Sequence, residues 1–485
     1  MRKLTILLAA VLAPGMIVGA ALAAEAIKKD QSILDRLYAN TGVHNKAATG
    51  VTPNFVVDAG WPQPLPNNWL MDQVAGLYVD RHDHIWIVHR PRAMTNAEAA
   101  LETSGGSDGK NGLGFDRPNG PIADCCNAAP AVMAFDSSGK LLRAWGGPTD
   151  PGWMESHCKA ADGCIWPNRE HGMYVDHNDN VWIAGNGATP LDPNSAWTTH
   201  RDGGDGFILK FDRDGNFKMR IGGTPTGPAS NDTNGGINGT PLMYLPAEMV
   251  VDPKTNRLYI ADGYGNRRVL IVDADTGKYI GHFGAYGGNP VDDAAAKAAG
   301  PWLQDARKGN KRPAFFRTPV HCIRIADDGK IYVCDRGNNR IQVFDKNDPA
   351  LGKPCSNPNG EVGKCGYVTE QWISAKTETH PVLPGTAVSL NFSRDKTQSC
   401  LYVGDNTNTT IYLINRSNLQ ELGRLGRSGR NAGQFHWLHQ VSPDSKGNIY
   451  TGEVDNGKRI QKFVRYGAAG CSGTGSATVG GALVK

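Results

Sequence analysis

The chain has no basic run. Its 51 Lys and Arg are scattered among 47 Asp and Glu, leaving a formal net charge of +4 over 485 residues. So dilute a charge gives nucleic acid no electrostatic footprint, and none is expected as a partner. The ten cysteines include no CxxC knuckle and no CxxCH haem site. Beyond residue 23 no apolar stretch approaches the length of a bilayer span, and long helical patterns are few. What abounds is glycine, 60 residues, and proline, 29. Both punctuate the chain with turns and imply many short strands.

The N-terminus reads Met1-Arg2-Lys3, then an apolar run from Leu4 to Val18, then Gly-Ala-Ala-Leu-Ala-Ala, with a small-residue cleavage site near Ala23. That layout predicts a signal peptide over 1–23, a periplasmic or secreted mature protein, and no membrane association after cleavage. In an oxidising compartment ten cysteines imply disulfides. Spacing favours Cys158 with Cys164, Cys322 with Cys334 and Cys355 with Cys365, without fixing the connectivity. Adjacent Cys125 and Cys126 are expected to have different partners.

One unit recurs six times: a small residue or His, an alternating apolar strand, an Asp-rich turn, and a second apolar strand. The copies begin VAGLYVD at Val74, HGMYVD at His171, AEMVVD at Ala247, HCIRIAD at His321, VSLNFS at Val388 and HQVSPD at His439. Alternation of period two between Asp/Gly/Asn turns denotes antiparallel hairpins, and each hairpin is too small to bury its own faces. Six copies predict an all-β fold, a six-bladed β-propeller over residues 51–465, in which Phe55–Pro66 supplies the strand that closes the ring. Further strands are expected at Lys278 and Tyr367. An open solenoid is the alternative, but it would leave two sheet edges exposed. Residues 24–50 read as an N-terminal segment and 466–485 as a flexible tail, with Cys471 placed to pin it back. Long insertions at 91–130, 189–205, 289–313 and 346–380 have the length of site-building loops.

Aligned on the strand start, the six units give Ala75, His171, Ala247, His321, Val388 and His439. Histidine occupies every second blade. In a six-fold ring those positions stand a third of a turn apart, so three imidazoles at one height converge on the axis and can share a metal ion. A second register, where each second strand ends, holds Arg90, Arg336 and, after Asp262-Gly263, Tyr264. Guanidinium groups can bind a carboxylate, and a phenol can move a proton. Arg340 and Arg267, in the Asn-Arg turns, recur with the repeat and read as structural.

These residues resemble a known family. WPQPLPNNWLMDQVAGLYVD with WIVHR, HGMYVD, IADGYGNRR, PVHCIRIADDGKIYVCDRGNNRIQVF and LHQV are similar to segments of peptidyl-α-hydroxyglycine α-amidating lyase, a six-bladed NHL-type propeller with three zinc histidines. The resemblance covers about residues 55–465. It implies zinc, or another divalent transition metal, on His171, His321 and His439, with Tyr264, Arg90 and Arg336 catalytic. The family's structural calcium uses an Asp after the third histidine and carbonyls matching Val74 and Met173. Here Gln440 replaces the Asp, so calcium is doubtful.

The implied activity is cleavage of an N-acyl carbinolamine to an amide and an aldehyde such as glyoxylate. The substrate is a small molecule or peptide bearing a carboxylate, and a separate enzyme performs the hydroxylation. Two rivals stand beside it. One is a non-catalytic propeller that binds proteins or other ligands. The other is a metal-dependent propeller hydrolase, whose sites favour carboxylate and Asn ligands for calcium over imidazole.

Overall fold

In four of the six repeats an aspartate, Asp80, Asp176, Asp252 or Asp444, ends the first strand and shapes the turn that follows. Asp80 accepts the backbone N–H of His82 and His84 at 2.8 and 2.9 Å, Asp176 those of Asn178 and Asn180 at the same distances, and Asp444 those of Lys446 and Asn448 at 3.0 and 2.9 Å. The second carboxylate oxygen takes a donor from the next strand: Trp86 Nε1 at 2.9 Å, Trp182 Nε1 at 2.8 Å and Tyr450 Oη at 3.1 Å. One short side chain therefore fixes both the reversal and the return strand.

The structure, a computed structural model, describes residues 50–94, 126–150, 152–188, 203–229, 231–298, 314–373 and 385–473. The expected signal peptide, nearly all of 24–50, Cys125 and parts of the four insertions (95–125, 189–202, 299–313 and 374–380) lie outside the described residues. The hairpins form six four-stranded antiparallel sheets, the blades of a six-bladed propeller. The innermost strands are Val74–Val79, Glu170–Val175, Glu248–Asp252, Val320–Ile325, Ser389–Phe392 and Leu438–Pro443 for blades 1 to 6. Blades 3 and 4 are completed by Tyr279–Phe283 and Tyr367–Trp372, where further strands were expected.

The ring closes through blade 6. Its outermost strand is Val51–Asp58, paired antiparallel with Ile460–Ser472 in the register Val57↔Phe463 and Asn54↔Tyr466. This pairing excludes the open solenoid. It also corrects the start of the flexible tail: the strand runs past Tyr466 to Ser472, with Val51 opposite Ser472. Gly467 to Gly470 have little β-propensity of their own; the pairs Pro53↔Gly467 and Val51↔Ser472 on either side, with a Cys400–Cys471 disulfide, hold this stretch in place.

Apolar faces pack between neighbouring blades, so Ile208 of blade 2, Val269 of blade 3 and Ile331 of blade 4 share one buried cluster. Within blades, buried ion pairs tie the end of the second strand to the start of the third. Asp262 pairs with Arg268 at 2.9 Å and Asp335 with Arg340 at 2.7 Å, and all four side chains are fully buried. In blade 3 the arginine that makes this pair is Arg268, next to the expected Arg267, because the strand presents residue 268 to the carboxylate. The three favoured disulfides form, and Cys400–Cys471 is a fourth. Among the described residues no cysteine is free, and no helix is long and apolar enough to cross a membrane.

Candidate metal centre

In blades 2, 4 and 6 the ladder between the innermost strand and its neighbour slips at the histidine. Glu170 faces Gly185 but Met173 faces Ile183; Val320 faces Asp335 but Ile323 faces Val333; Leu438 faces Glu453 but Gln440 faces Gly452. Each slip is a β-bulge, whose extra residue escapes strand alternation and is re-aimed. The result is convergence. The ring centroids of His171, His321 and His439 lie 4.9 to 5.0 Å apart, and one candidate ligand atom from each falls within 4.8 Å of the others.

The intervening blades hold these rings in place. His171 Nδ1 donates to the Ala247 carbonyl at 2.8 Å, His321 Nδ1 to Val388 at 2.6 Å, and His439 Nδ1 to Ala75 at 2.7 Å. Each acceptor is the residue of the same register one blade further round. A carbonyl only accepts, so the proton resides on Nδ1 and Nε2 carries the lone pair in all three rings. Gly172 allows the close approach, since a Cβ there would collide with the Ala247 carbonyl. Burial pushes all three imidazoles well below their ordinary pKa, reinforced by the other two histidines for His171, by Arg336 for His321 and by Arg90 for His439. They are neutral at pH 7.

Tyr264 Oη lies 3.0 Å from Nε2 of both His171 and His321, and Arg336 Nη1 donates to it at 3.4 Å. Tyr264 is part exposed, whereas the histidines are buried, so the phenol faces the open side of the site. Arg336 is available because Asp335 is already taken by Arg340 and by Asn338 at 2.7 Å. Arg90 differs from the other candidates. Its Nε donates to the Glu170 carbonyl and its Nη1 to Gln73 Oε1, both at 2.8 Å, so it is built into the wall beside His171 and makes no hydrogen bond to Tyr264. Burial first, then Arg169, pushes it down to about 9, still cationic at neutral pH.

Sequence reasoning missed the carbonyls of Ala75, Ala247 and Val388, together with Gln73 and the fully buried Glu170, which accepts Trp166 Nε1 at 2.6 Å. Only the alternation of His and non-His blades hinted at the carbonyls.

Three neutral imidazoles with fixed Nδ1–H groups and converging lone pairs fit a divalent transition metal. Nitrogen donors suit zinc, and carbonyl acceptors behind metal-bound histidines commonly fix their orientation. Calcium does not fit. Gln440 carries no charge, and both ends of its amide are committed, Nε2 to the Ala75 carbonyl at 3.2 Å and Oε1 to Ser389 Oγ at 3.3 Å.

The NHL repeat family model matches residues 320–344, the first three strands of blade 4. The chain is 24% identical over 292 residues, 56% of its length, to peptidyl-glycine alpha-amidating monooxygenase B of Xenopus laevis, and covers 28% of that protein. It is 26% identical over 243 residues, 49% of its length, to NHL repeat-containing protein 3 of Mus musculus, and covers 50% of it. The chain therefore spans half or less of these relatives. Among solved structures, a streptogramin B lyase aligns with a TM-score of 0.42 at 11% identity, covering 89% of this chain and 99% of that one. The chain is a six-bladed propeller carrying an NHL repeat, with homologues among the peptidyl-glycine alpha-amidating monooxygenases and the NHL repeat proteins.

Proposed function

We propose that this chain is an exported, metal-dependent lyase that splits an N-acyl carbinolamine, a peptidyl-α-hydroxyglycine or a smaller analogue, into an amide and an aldehyde such as glyoxylate. The observation that carries the reading is the meeting of three neutral imidazoles with a phenol oxygen 3.0 Å from two of their Nε2 atoms. Four disulfides support export to an oxidising compartment, periplasmic or secreted. Similarity to an amidating monooxygenase supports the reaction class.

His171, His321 and His439 would hold the cation, which supplies Lewis acidity toward a substrate oxygen. Tyr264 takes the carbinol hydroxyl proton, the C–N bond breaks as the C=O bond forms, and the leaving nitrogen gains a proton to become the amide. Arg336, beside Tyr264, orients the substrate carboxylate. Arg90 adds positive potential from the wall, with Nη2 left for a ligand oxygen. A separate hydroxylating enzyme would supply the substrate.

A non-catalytic binding propeller is the second reading, favoured by similarity to an NHL repeat protein whose name specifies no activity. Metal analysis separates the two. The purified wild type should carry about one divalent transition metal per chain and His321→Ala much less, and wild type should release glyoxylate from α-hydroxyhippurate. Equal metal in both proteins removes the site, and a metal-loaded protein that releases no glyoxylate removes the lyase.

A further inference from the structure

Three residues further along the innermost strands from the histidine register stands another ring: Tyr78, Tyr174, Val250, Arg324, Asn391 and Ser442. At roughly 3.3 Å per residue it lies about 10 Å from the imidazoles, toward the opposite mouth of the propeller. The first five of these residues line a cavity of about 190 Å³. That is far more than one ordered water needs and less than a drug-sized ligand needs.

Arg324 forms one wall. It is buried, and its Nη1 and Nη2 grip the Glu248 carboxylate, each at 2.8 Å. Its Nε makes no hydrogen bond. A buried donor without a partner is costly, and a small shift of the side chain toward a ligand oxygen in the cavity it lines would satisfy it. At the rim Lys346 is neutralised by Asp252 at 2.6 Å. Lys254 and Arg394 have backbone carbonyls as hydrogen-bond partners, Asp327 at 3.3 Å and Pro443 at 3.1 Å, which leave their charges in place. Both side chains are exposed. Counting Glu248, Asp252 and Asp327 against Arg324, Lys254, Lys346 and Arg394, the cavity is cationic.

We propose that this second mouth binds a small oxyanion, a phosphate or a carboxylate, bridged between Arg324 at the base and Lys254 and Arg394 at the rim. Charge-assisted bonds from guanidinium groups suit such a ligand, and the volume limits it to a few heavy atoms. The site is distinct from the histidine mouth and independent of the lyase reading.

The test is the thermal midpoint of the full chain at fixed ionic strength, with inorganic phosphate or acetate replacing chloride. The midpoint should rise saturably with at least one of the two, and which one does so tells a phosphate site from a carboxylate site. In the double variant Lys254→Gln/Arg394→Gln the half-saturating concentration should increase at least tenfold, while Arg169→Gln, at the histidine mouth, leaves it unchanged. Absence of a saturable rise in wild type, or the same rise in the double variant, overturns the proposal. Should the double variant fail to fold, the single exposed change Lys254→Gln should shift half-saturation several-fold, and an unchanged value there overturns the proposal equally.

Discussion

Removing the Cys400–Cys471 disulfide tests how ring closure is secured. The bond joins blade 5 to the strand that pairs with Val51–Asp58, and it spans 71 residues of sequence; Cys158–Cys164 spans six. All four cysteines are similarly buried, at 0 to 7% exposure, so replacing either pair by alanine loses comparable packing. What differs is the loop each bond closes in the unfolded chain. The chain-entropy relation gives about 4 kcal/mol for the longer loop and about 2 kcal/mol for the shorter. Urea unfolding of the two double alanine variants, without reductant, should therefore place Cys400→Ala/Cys471→Ala about 2 kcal/mol below Cys158→Ala/Cys164→Ala. Equal losses, or a larger loss from the short loop, would refute the reasoning and shift the weight of closure onto strand pairing alone.

Further outcomes follow from the buried polar groups. Arg340→Met leaves Asp335 buried without its guanidinium, and should cost roughly 3–5 kcal/mol in urea unfolding; a loss under about 1 kcal/mol would mean the carboxylate finds another partner. Tyr264→Phe should retain the metal of wild type by elemental analysis while carbinolamine cleavage falls by roughly 10²-fold or more. A variant that loses metal and turnover together would make the phenol a structural support of the site. His89, fully buried in blade 1, accepts the Asp72 N–H and faces the Pro130 carbonyl, and burial pushes it down to about 4. The unfolded chain takes up that proton near pH 6.5, so the stability it contributes is complete above 6.5 and disappears as pH falls through 4, by roughly 3 kcal/mol. His89→Gln should flatten the stability curve across that window, and an unchanged acid slope would assign the loss to other groups.

The propeller was legible because turn aspartates, strand alternation and the six-fold unit are all written in local sequence. So was the spacing that brings His171, His321 and His439 to one height. The bulges at those histidines were not legible. A one-residue slip is a property of two paired strands, and nothing in HGMYVD or LHQV alone reveals it. The backbone acceptors at Ala75, Ala247 and Val388 were hidden for a related reason, since a carbonyl has no side-chain signature. The choice between Arg267 and Arg268 turned on which of two adjacent arginines faces inward, a single-residue register that periodicity in a short loop leaves open. The strand beyond Tyr466 escaped because Gly and Ala there owe their conformation to a partner some 400 residues away in sequence.

That separation has a temporal consequence. Val51–Asp58 is synthesised early, yet its sheet partner, Ile460–Ser472, emerges some 400 residues later. At roughly 5–20 residues per second, the first strand waits on the order of 20–80 s for the last. During that interval the nascent chain cannot become a finished ring, however well its middle blades fold. A polypeptide delivered across a membrane before folding would meet this delay outside the cytoplasm, with both ends present when the circle is joined.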